Sequence, residues 1–174
     1  GITAKTLYNL AEALSGHVRR SRVLEKIRHD IFSVPLAVHA DETPWPILND
    51  HDSDGYLWTI CNMAGAYYRF EPSRSGKVAE ELLSGFDGAV LTDGFAGYNR
   101  LKKDPRLRLG ACWSHARREF FERIDDFPEA RGAVEIIDKL FSIEGRAKSF
   151  EQLRALRRTE SKAVLGELKA WMLD

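Results

Sequence analysis

Two short apolar runs, each followed by an aspartate, constrain the fold of this chain more than any other feature. Residues 36–40 lead into Asp41, and residues 89–92 lead into Asp93. Both runs have the length and apolar character of buried strands. One strand hairpin and one short helix fit between them, so the two strands can lie side by side. We therefore expect two carboxylates at one rim of a sheet, which is what a Mg²⁺-dependent phosphoryl-transfer site requires.

The chain between the two aspartates has strand signals followed by helix signals. Residues 56–62 and 66–71 are rich in aromatic and β-branched side chains and predict an antiparallel hairpin. A helix follows, with Ser75 as its N-cap and Gly85 at its C′ position. One strand hairpin and one short helix are therefore expected between the two apolar runs.

Two further signals set the limits of the predicted sheet. Pro44 and Pro46 are expected to prevent much ladder pairing of the first strand beyond its aspartate. Residues 107–113 are the candidate for the fifth strand, and Ser114 can cap the helix that follows it. We therefore expect five strands, of which the first is short.

Both ends of the chain are helical in pattern. Residues 3–32 repeat apolar side chains at three- and four-residue spacing, and Gly16 can divide this segment into two helices. Residues 130–148 predict another helix, and a capping box of Ser149 and Gln152 is expected to begin the last one.

The predicted elements run helices, then β-β-β-α-β, a loop or helix, β-α, and further helices. Three meandering strands followed by parallel crossovers are the order of the ribonuclease H-like fold, in which the first and fourth strands are neighbours. We predict an α/β fold with a five-stranded mixed sheet and flanking N- and C-terminal helices. The first three strands are expected to be antiparallel, and the fourth and fifth to be parallel to the first.

The bulk composition excludes membrane-spanning and disulfide-rich classes. The 174 residues are 44% hydrophobic and 30% charged, and no apolar run approaches the roughly 18 residues of a membrane span. Cys61 and Cys112 are too few for a disulfide framework, which favours reduced core thiols in a cytoplasmic protein. The net charge is zero, but residues 41–93 carry −7 between basic ends. That distribution suits a metal site beside a polyanion, with chance clustering as the alternative.

Four sequence motifs follow one another between about residue 35 and about residue 125. They are HADETPW, GYLWTICN, RSGKVAEELLSGFDGAVLTDGFAGYNRL and GACWSHARREFFE. In this order they closely resemble the catalytic region of the insertion-sequence-66 family of bacterial transposases. The resemblance implies a DDE transposase with a ribonuclease H-like core.

The resemblance also implies roles for the two aspartates. Asp41 matches the first acid of the family, in its DET motif, and Asp93 matches the second, in its TDG-aromatic-x-x-Tyr motif. It implies that Asp41 bridges two Mg²⁺ (or Mn²⁺) ions and that Asp93 holds one of them during DNA cleavage and strand transfer. Taken singly, a strand-end acid at Asp41 and a turn-forming acid at Asp93 are the alternatives.

The third acid of the family is a glutamate in an Asn-Asn-x-x-Glu-Arg motif, and no Asn-Asn pair occurs in the 174 residues. The chain begins with Gly1 and ends inside a helical pattern, which we interpret as a fragment. We expect an N-terminal helical segment (1–34), a catalytic core (35–127) and a truncated helical insertion (128–174). Alone, this fragment is expected to be inactive or nearly so.

An in-chain third acid is the alternative to that interpretation. His115, Glu119 and Glu122 are spaced to share one face of the helix after the fifth strand. Glu122 or Glu119 could then reach a metal, and the chain would be a complete small ribonuclease H-like nuclease. Pairing of these acids with Arg118, Arg123 or solvent is the competing interpretation.

Four residues are candidates for contact with DNA. Arg117 and Arg118 can bind phosphate, with surface ion pairing as the alternative. His115 can position a phosphate or a water, or simply begin its helix. Tyr98 can stack or bind phosphate in the glycine-containing loop after Asp93, or fill the core. If the site has decayed, these residues would belong to a non-catalytic DNA-binding or protein-interaction module.

The resemblance implies partners as well. Transposon ends and target DNA are the expected substrates, and helper proteins of the element are expected partners. The full-length protein is expected to form a homo-oligomer in the bacterial cytoplasm, without contact with a membrane.

Overall fold

The computed structural model describes residues 22–34, 37–46 and 54–174, together with residues 13 and 16. Most of the predicted N-terminal helix before residue 22 lies outside the described residues. The chain forms two compact units, Gly1–Ala111 and Cys112–Asp174. The three-segment division at residues 34 and 127 stays a prediction, because compactness alone does not define functional domains.

Among its described residues, the first unit contains a sheet and three helical segments. Its strands are β1 (Ala37–Pro46), β2 (Asp54–Asn62), β3 (Gly65–Glu71), β4 (Gly88–Thr92) and β5 (Leu107–Ala111). Its helices are α1 (Val23–Ser33), α2 (Gly76–Leu82) and a 3₁₀ helix (Ala96–Lys103). The predicted cap of α2 is confirmed, because the Ser75 hydroxyl accepts a hydrogen bond from the backbone N–H of Lys77.

The predicted five-stranded mixed sheet is confirmed. The strand order is β3-β2-β1-β4-β5. β1 pairs antiparallel with β2, and β2 pairs antiparallel with β3. β4 is parallel to both β1 and β5. The first and fourth strands in the chain are therefore neighbours at the centre of the sheet.

The prediction that the two prolines end the pairing of β1 is wrong. β1 pairs with β2 as far as Pro46, opposite Asp54. Pro44 and Pro46 are two residues apart and direct their nitrogens to the same side of the strand. β4 pairs with β1 only over Ala37–His39, so among the described residues no strand pairs with Pro44 or Pro46 on the side of β1 opposite β2. The prolines therefore interrupt no ladder on that side.

The start of the helix after β5 also differs from the prediction. β5 ends at Ala111, and α3 (Trp113–Phe121) follows with Cys112, not Ser114, at the N-cap position. The Cys112 carbonyl accepts the first helical hydrogen bond from Ala116 at 3.1 Å. The helix therefore begins two residues earlier than the serine signal indicated.

One face of the sheet carries the core of the first unit. Side chains alternate along β1, so that Val38, Ala40 and Glu42 are buried while the residues between them are more exposed. Apolar side chains of α1, α2 and the 3₁₀ helix cover this face. The core thereby fixes the middle of β1, where Asp41 lies, and the end of β4, which Asp93 follows.

The second unit is helical, as the pattern predicts. It contains α3, α4 (Ala130–Gly145), α5 (Phe150–Leu156), a π-helical segment (Arg157–Ser161) and α6 (Lys162–Trp171). Its core joins α4 to α6 through the buried side chains Ala133, Ile136, Ile137 and Leu168.

The cap before α5 is confirmed, because the Ser149 hydroxyl accepts a hydrogen bond from the Gln152 backbone N–H at 3.1 Å. No helix in the described part of the chain combines the length and the apolar character that crossing a membrane would require.

Candidate active site

Asp41 and Asp93 occupy matching positions on neighbouring parallel strands. Each residue of β1 that pairs with β4 lies opposite the residue 52 positions later in the chain, from Ala37 and Ala89 to His39 and Leu91. The same offset separates Asp41 from Asp93. Neighbouring strands lie about 4.8 Å apart, and continuing this register two residues beyond the last pair would set Asp41 beside Asp93, just past the end of β4.

The two aspartates are half-buried, and backbone N–H groups orient them. Asp41 Oδ1 accepts a hydrogen bond from the Glu42 backbone N–H at 3.0 Å. Asp93 Oδ1 accepts one from the Phe95 N–H at 2.8 Å. Gly94, between Asp93 and Phe95, has a φ of +91°, a left-handed conformation that glycine adopts without strain. The tight turn therefore aims the Asp93 carboxylate by local geometry.

Glu42 follows Asp41 but belongs to the opposite face of the sheet. Its side chain has no exposed surface. Oε1 accepts a hydrogen bond from Arg74 Nε at 2.8 Å, and Oε2 accepts one from the Tyr98 hydroxyl. Burial raises the pKa of the Glu42 carboxyl above its ordinary value, while the hydrogen bonds from Tyr98 and Arg74 oppose that rise.

Tyr98 lies in the core. Its side chain is only 2% exposed, and its ring meets those of Trp58 and Phe95 edge to face, with centroids 6.0 and 6.2 Å away. Burial, followed by the hydrogen bond to Glu42, raises the pKa of the Tyr98 hydroxyl far above its ordinary value. The structure therefore places Tyr98 inside the first unit, as the core alternative expects, and not on a surface open to DNA.

Arg74 connects the buried acid with the second aspartate. Its Nε donates to Glu42, and its Nη2 lies 3.6 Å from Asp93 Oδ2. The guanidinium stacks over the Phe95 ring, with Cζ 4.0 Å from the centroid. Asp93 thus has one oxygen on a backbone N–H and the other beside a cation.

A close approach of two backbone segments holds Arg74 in place. Gly76 begins α2, and a Cβ atom added there would lie 2.2 Å from the Gly97 carbonyl oxygen. Only a residue without a side chain lets α2 come this near the 3₁₀ helix. The Arg-Ser-Gly segment that begins the third sequence motif therefore brings Arg74 to the strand ends.

Sequence reasoning missed Arg74 and the buried pairing of Glu42 with it. The alternation of β1 correctly predicts that Glu42 points away from Asp41. Nothing local indicates that a loop 32 residues later supplies its partner, because that contact depends on the fold. The only local indication of this partner in the sequence is the arginine immediately before the Ser75 cap.

The predicted residues on α3 lie in the second unit. Arg117 forms two hydrogen bonds with Asp138 of α4, at 2.6 and 3.0 Å. Glu119 lies 3.8 Å from Arg123, whereas Arg118 and Glu122 are exposed. His115 is half-buried. Their roles toward a metal or DNA stay predictions, and the ion-pair alternative has support for Arg117 and Glu119.

The described residues contain no large cluster of metal-ligating side chains. Within residues 22–34, 37–46 and 54–174, no group of three or more His, Cys, Asp or Glu side chains is arranged to hold a metal ion. The candidate site therefore consists of two aspartates on adjacent strands, with Glu42 and Arg74 behind them.

Comparison with known proteins gives relatives without an assigned activity. The uncharacterised protein y4jD of Sinorhizobium fredii (strain NBRC 101917 / NGR234) is 35% identical over an alignment of 117 positions that covers 62% of this chain and 23% of the relative. The uncharacterised proteins y4qI and y4hP of the same strain are each 27% identical, over 75% and 86% of this chain and 29% and 32% of their own lengths. The chain thus spans about a quarter to a third of these relatives. No solved structure matches it significantly.

The family comparison covers the whole chain. The model of the Transposase IS66 family matches residues 1–174. This range includes Asp41, Asp93, the Arg-Ser-Gly segment and all helices of the second unit. The chain therefore belongs to the Transposase IS66 family.

Proposed function

We propose that this chain is part of the catalytic core of a DDE transposase, in which Asp41 and Asp93 serve metal-dependent phosphoryl transfer on DNA. The observation that supports the proposal is the β1–β4 register, in which each paired residue lies opposite the residue 52 positions later; the same offset separates Asp41 from Asp93. Two carboxylates at one height, on strands fixed by a buried core, form a rigid pair of oxygen donors. DNA recombination is the general activity that membership of a transposase family implies.

The sheet supports a ribonuclease H-like core as the fold of this enzyme. Its order β3-β2-β1-β4-β5, with three antiparallel strands and two parallel ones, agrees with that assignment. Asp41 lies within the first strand, and Asp93 directly follows the fourth. The assignment rests on topology and family membership.

The donor set fits a hard divalent cation. Mg²⁺ prefers oxygen ligands and is commonly held by one or two carboxylates together with waters and substrate phosphates. Asp41 and Asp93 supply two carboxylates, and neither cysteine nor histidine is needed. In this proposal the remaining ligands are waters, phosphate oxygens and a third acid.

The reaction is an in-line displacement at phosphorus. Water attacks a DNA phosphodiester, the P–O bond to the 3′ oxygen breaks, and that oxygen takes up a proton. The freed 3′-hydroxyl then loses its proton and attacks a phosphodiester of the target DNA, whose own P–O bond to its 3′ oxygen breaks so that this oxygen leaves. Divalent cations, when bound, stabilise the negative charge on the attacking and leaving oxygens. The chain's own contribution is orientation: the Phe95 N–H aims Asp93, and β1 aims Asp41.

The whole protein's activity and partners are part of the proposal. Because the chain contains no Asn-Asn-x-x-Glu-Arg sequence, we propose that the third acid lies outside these 174 residues. Transposon ends, target DNA, helper proteins and a homo-oligomer belong to the longer protein.

Binding of Mn²⁺ tests the proposed site directly. Mn²⁺ is titrated into the 174-residue chain and followed by electron paramagnetic resonance. We expect binding that is lost in Asp41→Asn and in Asp93→Asn. Asp87→Asn removes an exposed acid near β4 and is the matched control, which should bind like the wild-type chain. Binding that survives in both Asn variants, or no binding by the wild-type chain, would contradict the proposal.

A further inference from the structure

We propose that Glu42 is a positioning residue that holds Arg74 away from Asp93 and so keeps the Asp93 carboxylate available to a divalent cation. The inference rests on the proposed function, because it concerns the same aspartate. Glu42 would then position Arg74, whereas the neighbouring Asp41 would bind the metal ion.

Arg74 lies between Glu42 and Asp93 but forms a hydrogen bond only with Glu42. Its Nε is 2.8 Å from Glu42 Oε1, which is a full hydrogen bond, while its Nη2 is 3.6 Å from Asp93 Oδ2. A guanidinium can form two parallel hydrogen bonds with a single carboxylate, which is its strongest pairing. Here that pairing with Asp93 is not made, because Glu42 takes the Nε–H.

Glu42 is itself fixed. It lies on β1 opposite Trp58, its side chain is fully buried, and the Tyr98 hydroxyl holds its second oxygen. A buried carboxylate needs such partners, since an unpaired buried charge is very costly. The anchor for Arg74 is therefore rigid, and the guanidinium cannot draw Glu42 toward Asp93.

Arg74 would otherwise be drawn to Asp93. Its side chain is 41% exposed and that of Asp93 is 24% exposed, so both have room to move. The Phe95 ring lies under the guanidinium and permits sliding in its plane. Without the charge of Glu42, Asp93 is the acid that remains beside Arg74, and an arginine bound to both Asp93 oxygens would compete with a metal ion for them.

Three variants of the 174-residue chain test this competition through Mn²⁺ affinity. Changes in residues behind a metal ligand typically alter affinity by about 10- to 100-fold. We therefore expect Glu42→Gln, which keeps the shape of the side chain, to weaken Mn²⁺ binding about tenfold or more. Adding Arg74→Gln removes the competing cation, and the double variant should recover to within about threefold of the wild-type affinity.

The matched control is Glu71→Gln. Glu71 also lies in the sheet and pairs with an arginine, Arg69, away from the two aspartates. Its replacement should leave Mn²⁺ affinity unchanged. A merely structural role of Glu42 predicts that the double variant binds no better than Glu42→Gln alone, and that result would overturn the inference.

A crystal structure of metal-free Glu42→Gln separates this inference from the proposed function. We expect Arg74 to move onto Asp93, with two N–O separations within hydrogen-bonding distance in place of the single 3.6 Å approach. An unmoved Arg74 would refute the role of Glu42 whether or not the chain binds metal. Absence of Mn²⁺ binding by the wild-type chain would instead count against the proposed metal site.

Discussion

Asp41 and Glu42 follow each other in the chain but lie on opposite faces of one strand. The aspartate is half-buried beside the end of β4, and the glutamate is fully enclosed by the core. The pleat of β1 therefore separates two acids that are adjacent in sequence into two environments. One carboxylate remains accessible for chemistry, while the other organises Arg74 and Tyr98 beneath the site.

Removing the Tyr98 hydroxyl should destabilise the first unit. Tyr98→Phe leaves one oxygen of buried Glu42 without its donor. An unsatisfied buried polar group costs about 1–3 kcal/mol, and more when it is charged. We expect a loss of at least about 1 kcal/mol in the free energy of unfolding measured with urea.

Tyr68→Phe is the control for that measurement, because Tyr68 is an exposed tyrosine in the same sheet. Its replacement should change the free energy of unfolding by no more than about 0.5 kcal/mol. Equal losses in the two variants would show that the Tyr98 hydroxyl contributes nothing specific.

Two glycines should respond to alanine in opposite directions. At Gly76 the new Cβ would lie 2.2 Å from the Gly97 carbonyl oxygen, so α2 must move away from the 3₁₀ helix. Such overpacking costs about 1–3 kcal/mol. At Gly166, inside α6, a Cβ meets nothing within 4 Å, and alanine should stabilise the helix by up to about 1 kcal/mol. Thermal unfolding of both variants checks the contrast, which fails if Gly76→Ala is as stable as the wild-type chain.

The sequence predicts the frame of the site because its signals are local. The short apolar runs before each aspartate, a hairpin around a glycine and the serine caps at Ser75 and Ser149 each depend on a few neighbouring residues, and these elements are found as expected. The neighbouring positions of β1 and β4 were expected from the order of the elements, and the sheet confirms them. The register of the two strands does not follow from topology, and the structure supplies it through the pairs from Ala37–Ala89 to His39–Leu91.

The parts of the site that sequence reasoning missed depend on distant contacts. Pro44 and Pro46 were expected to end pairing, but their effect depends on whether a strand lies on their other side. Arg74 reaches Glu42 only because α2 packs closely against the 3₁₀ helix at Gly76. The role of Tyr98 also depends on a distant contact, because its hydroxyl donates to the buried carboxylate of Glu42.

The Cys61 thiol should report the charge of Asp41. Burial raises the pKa of this thiol, and the negative charge of Asp41 raises it further. Because a lower pKa increases the reactive thiolate fraction at neutral pH, Asp41→Asn should speed alkylation of Cys61, by about twofold or more. The rate is measured by mass spectrometry in a Cys112→Ser background, since Cys112 is the other free thiol. Asp87→Asn should leave the rate unchanged, and an equal rate in Asp41→Asn would contradict the assigned proximity.

A disulfide cross-link tests the register that places Asp41 beside Asp93. Cysteines whose Cα atoms are about 4.4–6.8 Å apart can form a disulfide, and neighbouring strands lie about 4.8 Å apart. In a chain with both native cysteines replaced by serine, the double variant Asp41→Cys/Asp93→Cys should therefore oxidise readily. Thr43→Cys/Asp93→Cys is the control, because two residues further along β1 add about 6.6 Å. Cross-linking is read by the shift of the linked peptides in mass spectrometry. Preferential linkage of the control pair would mean that β1 and β4 are offset by two residues, so that the two aspartates could not share one cation.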